Sequence, residues 1–299
     1  MRKNDVTLLD GGMGQELLRR SSRPVTPMWS ADIMLHEPEL VKGLHLDYIK
    51  AGANVITLNT YTSTPQRLAR ENQLDQLQHL HQNAKSVAVQ AVKESGDQSI
   101  RIAGCLPPLV ASYKSEACLG FQESLETYRK LVALQLSVCD LFICETMSSI
   151  VEASAACHAA LESGKDVWVA FTVADNTQQV LRSGEPLSLA LEAINELQPQ
   201  AILLNCSQPE AISASWSTLK QYASDACQIG AYANGFTSVD NLYPGDTVEK
   251  LAVRTDLAPN EYAEFALTWI NNGASLIGGC CEIGPEHINA LYRLIAQSE

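Results

Sequence analysis

No stretch of the sequence approaches the roughly 20 consecutive apolar residues that a membrane span requires. The longest apolar run, 167–174, has the length of a strand. Basic residues are scarce as well. The 21 Lys and Arg face 34 Asp and Glu, a formal charge of −13, and they gather no further than pairs such as Arg19-Arg20. A surface for the phosphate backbone needs a concentrated positive field, so the chain argues against nucleic acid as a partner, as it does against a membrane. Only 17 Gly and 12 Pro occur in 299 residues, which excludes collagen-like or linker-like chains. Residues 1–5 lead into just four apolar-leaning positions before Asp10, fewer than a secretory signal uses, so a cytoplasmic protein is expected. What remains is 46% hydrophobic and 18% charged, enough to bury a large core.

Nine cysteines are present. An odd count in a reducing compartment argues against a disulfide framework, so they read as buried small hydrophobes, reactive thiols or metal ligands.

Short β-branched or apolar runs at 6–9, 54–58, 102–105, 141–144, 167–173, 201–204, 228–232 and 275–277 alternate with stretches of helical periodicity. One such stretch starts at Pro38, and others cover 73–94, 121–137, 148–162, 187–196, 209–223, 260–272 and 285–297. The alternation predicts a parallel sheet with crossover helices, and eight strands suit a single (β/α)8 barrel over residues 1–299. An open doubly wound sheet is the rival. Segments 18–37 and 234–260 exceed the minimal repeat and are expected as long loops after strands 1 and 7, over the catalytic face.

Polar and thiol residues stand where the strands should end. Asp10-Gly-Gly-Met-Gly follows the first, Asn59-Thr60-Tyr61 the second, Cys144-Glu145-Thr146 the fourth, Asn205-Cys206 the sixth and Gly278-Gly279-Cys280-Cys281 the eighth. In a barrel these ends converge on one mouth. Cys206, Cys280 and Cys281 could then give three thiolates to one Zn2+, leaving a fourth position open. Adjacent strand cysteines normally point apart, but the preceding glycines free the backbone to bring both sulfurs to one ion. The bland alternative is ordinary buried thiols. The glycines after Asp10 fit neither phosphate-loop spacing; the turn reads as a carboxylate site or as a helix cap by Asp10. Glu145 is a ligand-binding residue or a helix-start carboxylate. Cys105, Cys118, Cys139, Cys144, Cys157 and Cys227 read as incidental, and the six histidines form no metal pattern.

Taken in order, Leu8-Leu-Asp-Gly-Gly-Met-Gly14, Trp29, the segment from His45 to Tyr61, Glu145-Thr146, Arg182-Ser-Gly-Glu-Pro-Leu187, Asn205-Cys206 and Gly278-Gly-Cys-Cys281 resemble the homocysteine S-methyltransferases over nearly the whole chain. The resemblance implies a homocysteine-binding (β/α)8 barrel with catalytic zinc on Cys206, Cys280 and Cys281. It further implies that Asp10 and Glu145 grip the homocysteine amino group, with Thr60 and Asn205 in the substrate site. Trp29 and Tyr61 match aromatic positions on the donor side. The implied reaction moves a methyl group from a small onium donor to the homocysteine thiol, giving methionine. Segment 103–113 departs from the loop of S-methylmethionine enzymes, and Tyr113 is a substitute donor contact. S-methylmethionine or S-adenosylmethionine is favoured as donor. A betaine-type donor, a zinc- or thiol-binding barrel without turnover, and an acid–base lyase or hydrolase on Asp10 and Glu145 are the alternatives. The sequence leaves the oligomeric state open.

Overall fold

The computed structural model describes residues 6–296. Eight strands follow one another: β1 (Thr7–Leu8), β2 (Val55–Thr57), β3 (Arg101–Leu106), β4 (Leu141–Met147), β5 (Asp166–Phe171), β6 (Ala201–Asn205), β7 (Gln228–Tyr232) and β8 (Leu276–Ile277). From β2 to β8 each strand pairs in parallel with the next, and β8 returns to β1. The remaining seam, between β1 and β2, is joined by the Leu9–Val55 bridge and by backbone N–H groups of Asn54 and Asp10 donating to Leu8 and Val55. The sheet is therefore a barrel, and the open-sheet alternative falls.

The strands read as apolar runs because both faces are covered. With period 2, one set of side chains from every strand fills the interior: Leu9, Val55, Ala103, Ile143, Trp168, Leu203, Tyr232 and Leu276 among them. The alternate set, including Ile56, Phe142, Val169, Ile202 and Ile277, packs outward beneath the helices.

Those helices are α1 (Met13–Arg20), α2 (Ser30–His36), α3 (Pro38–Ala51), α4 (Pro65–Arg70), α5 (Leu77–Ser95), α6 (Phe121–Gln135), α7 (Ile150–Leu161), α8 (Leu187–Asn195), α9 (Pro209–Tyr222), α10 (Pro259–Asn271) and α11 (Pro285–Ala296). Proline opens α3, α4, α9 and α10, where its missing N–H costs nothing. None of the helices of the described residues is long and apolar enough to cross a membrane.

Two stretches differ from the sequence reading. Segment 18–37 is partly helical, because Ile33 and Met34 are buried and Arg23 ties back to Asp32 at 2.7 Å. The helix expected over 73–94 starts at Leu77, behind α4 and a short 3-10 turn. Residue 297 and the segment 1–5 lie outside the described residues.

Gly230 marks how closely β7 approaches β8. A Cβ there would sit 2.2 Å from the Leu276 carbonyl oxygen. Backbone cannot yield as a flexible side chain can, so Gly230→Ala should cost about 1–3 kcal/mol, read as a lower urea midpoint at unchanged slope.

Candidate active site

Asp10 continues the ladder of β1 with both backbone and side chain. Its carboxylate accepts the Thr57 N–H at 2.7 Å and the Thr57 hydroxyl at 3.1 Å, so it caps no helix; α1 begins at Met13 without a side-chain cap. Burial pushes the Asp10 carboxyl up to about 7, against the lowering effect of the Thr57 bonds and with a further push from Glu145.

Glu145 lies within β4, not at a helix start; Ser149 caps α7. The register of β4 against β5 slips between Cys144 and Met147, and a bulge of this kind re-aims a side chain. Thr146 there takes a left-handed φ of 59°. Asn205 brackets it, accepting the Thr146 N–H and donating to the Thr146 hydroxyl, each at 3.0 Å. The Cys105 thiol donates to Glu145 Oε1 at 2.9 Å. The Cys105 backbone is in turn clasped on both sides by the buried Gln135 amide of α6. Burial pushes Glu145 up to about 7 as well.

The sulfurs of Cys206, Cys280 and Cys281 lie within 4.8 Å of one another, the only such group of metal-ligating side chains among the described residues. Cys206 follows β6 with a φ of 46°, a left-handed conformation held by its N–H on Tyr232 and by the Thr172 hydroxyl on its carbonyl. The glycines after Asp10 also serve close approach rather than phosphate: a Cβ on Gly12 would lie 2.5 Å from the Cys280 carbonyl oxygen, and one on Gly14 would enter the Trp29 ring. Contrary to the expectation of free thiols, Cys206 and Cys280 are joined as a disulfide, with Cys281 a free thiol beside them. The physical reason is the convergence itself, since two thiols held this close need only an oxidant. As a donor set for a metal the three residues fit once reduced: three soft sulfurs face one point, with room for a fourth ligand in the cavity beside them.

That cavity is lined by Asp10, Glu145, the three cysteines, Trp29, Tyr61 and Tyr113. Trp29 meets Tyr61 edge to face at 6.3 Å. The Tyr113 hydroxyl donates to Cys206 Sγ at 3.3 Å, and the Arg182 guanidinium, paired with Asp175, stacks 5.0 Å over the Tyr113 ring. Thr60 and Asn205 are buried behind the lining, their side chains engaged by Gln135 and Thr146. Sequence reasoning missed several neighbours. Cys105, set aside as incidental, touches Glu145. Tyr232 ends β7 with a buried hydroxyl that has no partner among the described residues, and Ser112 holds the Tyr61 hydroxyl at 2.9 Å. A position at a strand end was the available signal for Cys105 and Tyr232.

Fold and site together define a (β/α)8 barrel whose mouth unites a metal-competent sulfur cluster with two buried carboxylates. Residues 7–295 match the model of the homocysteine S-methyltransferase family, and the chain belongs to it. It is 30% identical to the homocysteine S-methyltransferase of Escherichia coli, covering 97% of this chain and 95% of that one. Homocysteine S-methyltransferase 1 of Arabidopsis thaliana is 27% identical, over 96% of this chain and 92% of the relative. The homocysteine methyltransferase MmuM from E. coli superposes with a TM-score of 0.80 in its metallated form and 0.79 in its oxidized form, at 25% identity over 97% of this chain and 96% of that one.

The raised carboxyls carry a pH signature. Asp10 is raised from 3.8 and Glu145 from 4.5 to about 7, so the folded state holds more protons than the unfolded one between those values. Their contribution to stability is present below about 4 and is lost as pH rises through about 7. Asp10→Asn keeps an acceptor for Thr57 but cannot titrate; relative to it, the wild type should lose stability as pH rises from about 4 to about 7 in urea unfolding.

Proposed function

We propose that this chain is a cytoplasmic, zinc-dependent methyltransferase that moves a methyl group from a small onium donor to the thiol of L-homocysteine, giving methionine. S-methylmethionine or S-adenosylmethionine is the favoured donor, ahead of betaine. The observation that carries the proposal is the gathering of Cys206, Cys280 and Cys281 within 4.8 Å, beside Asp10 and Glu145 in one cavity.

Cys206, Cys280 and Cys281 would hold the zinc. When bound, it supplies positive charge that keeps sulfur ligands ionised at neutral pH, where a free thiol stays mostly protonated. Asp10 and Glu145 then take the homocysteine ammonium. A cation between them reverses the burial penalty on both carboxyls, so the amino acid binds with the pair ionised. Trp29 and Tyr61 offer aromatic faces to the positive donor, an attraction of about 0.5–2 kcal/mol. Tyr113, held beneath Arg182, closes the donor side and keeps water off Cys206. A carbon–sulfur bond to the homocysteine sulfur forms as the methyl–onium bond breaks. The bonding pair stays on the donor's sulfur or nitrogen, and the thiol proton leaves to solvent. Holding the two reactants in line is the main service of the residues around them.

Metal uptake should require reduction of the Cys206–Cys280 disulfide. With reductant and zinc, the protein should bind a single equivalent and form methionine from homocysteine and one of the onium donors. Cys280→Ser should lose both metal and turnover. Methionine formed by metal-free Cys280→Ser protein would sink the proposal. Homocysteine protecting against thermal unfolding while no donor gives methionine would instead favour a binding barrel without turnover.

The carboxyl pair makes a second prediction, read without any thiol. L-methionine should bind more tightly by about an order of magnitude between pH 6 and 8, as Asp10 and Glu145 ionise. A flat calorimetric profile over that range would remove them from amino-group recognition.

A further inference from the structure

Across Tyr61 from the reaction cavity lies a second, smaller cavity, an annex to it. The two share Trp29, Tyr61, Ser112, Leu242 and Val248. The annex is also lined by Arg67, the fourth residue of the stretch Thr64-Pro-Gln-Arg at the start of α4. Nothing in the functional reading uses this residue.

Arg67 is held firmly but incompletely. Its Nε and Nη2 donate to the Pro108 carbonyl at 3.2 and 3.0 Å, and Nη2 also reaches Ser112 Oγ at 3.2 Å. The guanidinium lies 5.4 Å over the Tyr61 ring. Nη1 makes no hydrogen bond among the described residues, and none of their carboxylates forms an ion pair with Arg67. Glu152 attracts it only from a distance, being engaged by the Leu109 N–H and the Cys118 thiol. Asp246, the acidic residue of the annex lining, is taken up by Lys250 at 2.6 Å and by the Tyr243 N–H. The neighbouring Arg70 has its own partner in Glu71.

Arg67 is half-buried, so a guanidinium partly desolvated without an anion is held somewhat below its usual pKa while its unpaired Nη1 still reaches the annex. Nη1 alone keeps its N–H groups unused, and a charged donor facing a ligand cavity favours an anionic acceptor such as a carboxylate.

We propose that Arg67 is the specificity-determining residue for the methyl donor, anchoring a carboxylate on the donor in the annex while its onium methyl faces the cavity past Tyr61. The donors admitted are then zwitterions, sulfonium or quaternary ammonium compounds that bear a carboxylate. A simple onium cation lacks the anchor and meets an uncompensated positive charge. The assignment rests on the methyl-transfer reading above, whose site it extends.

The test compares S-methylmethionine with its methyl ester, and with trimethylsulfonium, in wild type, Arg67→Met and Arg67→Lys proteins, reduced and zinc-loaded. A charged hydrogen bond of this kind corresponds to roughly 10- to 100-fold in affinity. In Arg67→Met the preference in kcat/KM for S-methylmethionine over trimethylsulfonium should fall by that factor, with Arg67→Lys restoring part of it. A purely structural role would lower every donor alike and leave the preference unchanged, which would overturn the assignment. Calorimetric titration of the same proteins with S-methylmethionine and its ester reads binding apart from turnover. Arg67-dependent binding without methionine formation would sink the reaction but keep the anchor. Turnover with the same Kd in wild type and Arg67→Met, or no binding of the acid by wild type, would sink the anchor.

Discussion

Everything at the mouth depends on how the barrel closes between its first and second strands. The seam is short: a single bridge, Leu9 to Val55, with flanking hydrogen bonds from Asn54 and Asp10. Asp10 belongs to that seam as much as to the cavity, since its backbone pairs with Val55 and its carboxylate continues the pairing onto Thr57. A carboxyl is thus used in completing the sheet, at a seam where the strands themselves supply few bonds. The opposite edge of the same corner is held by Gly279, whose N–H donates to the Asp10 carbonyl one residue before Cys280. Closing the barrel and aligning a carboxylate with a sulfur are one act of folding.

The residues lining the cavity are set in turn by a second layer of buried amides and hydroxyls. Asn205 fixes Thr146 in its left-handed conformation and so aims Glu145, while Gln135 grips Cys105, which donates to the same carboxylate. Arg182 fixes Tyr113, which reaches Cys206. Left-handed non-glycine residues recur here, at Trp29, Tyr113, Thr146 and Cys206. Such conformations persist only where surroundings over-determine them, and these four all sit on the elements that carry the cavity. Thr146 and Cys206 take them where a strand turns into a loop, Trp29 at the start of α2 and Tyr113 in the loop after β3.

The barrel was legible because its strands are buried on both faces and its helices carry one apolar stripe, so periodicity and length separate them. The three cysteines and Asp10 and Glu145 were legible because they stand directly at strand ends. The helices within 18–37 were not, since α1 and α2 are short and the polar pair Arg23–Asp32, invisible to local pattern, orders the chain between them. Asn205 and Thr60 stand at strand ends too, yet their side chains turn away to Thr146 and Gln135. Strand-end position marks the mouth; it does not say which way a side chain points once the backbone bends, as at the β4 bulge. Arg67 escaped altogether. In sequence it is one arginine in a surface helix, and only the folded chain reveals that its neighbours Glu152 and Asp246 are already engaged.

The net charge of −13 illustrates the same gap between sequence and site. Surface charges more than about 8 Å apart are largely screened in physiological salt, so that surplus says little about the cavity. Within it the sign of the local charge is set by desolvation. Two carboxyls raised to about 7 carry well under their formal charge while the cavity is empty, and Asp175 already offsets Arg182. An ammonium bound between Asp10 and Glu145, as proposed, would favour the ionised form of both. On the proposed reading, a carboxylate against Arg67 would pair the one guanidinium of the annex lining that has no carboxylate partner among the described residues. Under these proposed assignments each ligand group would relieve a desolvation cost already incurred in the folded chain, with an amino acid at one end and a zwitterionic onium compound at the other.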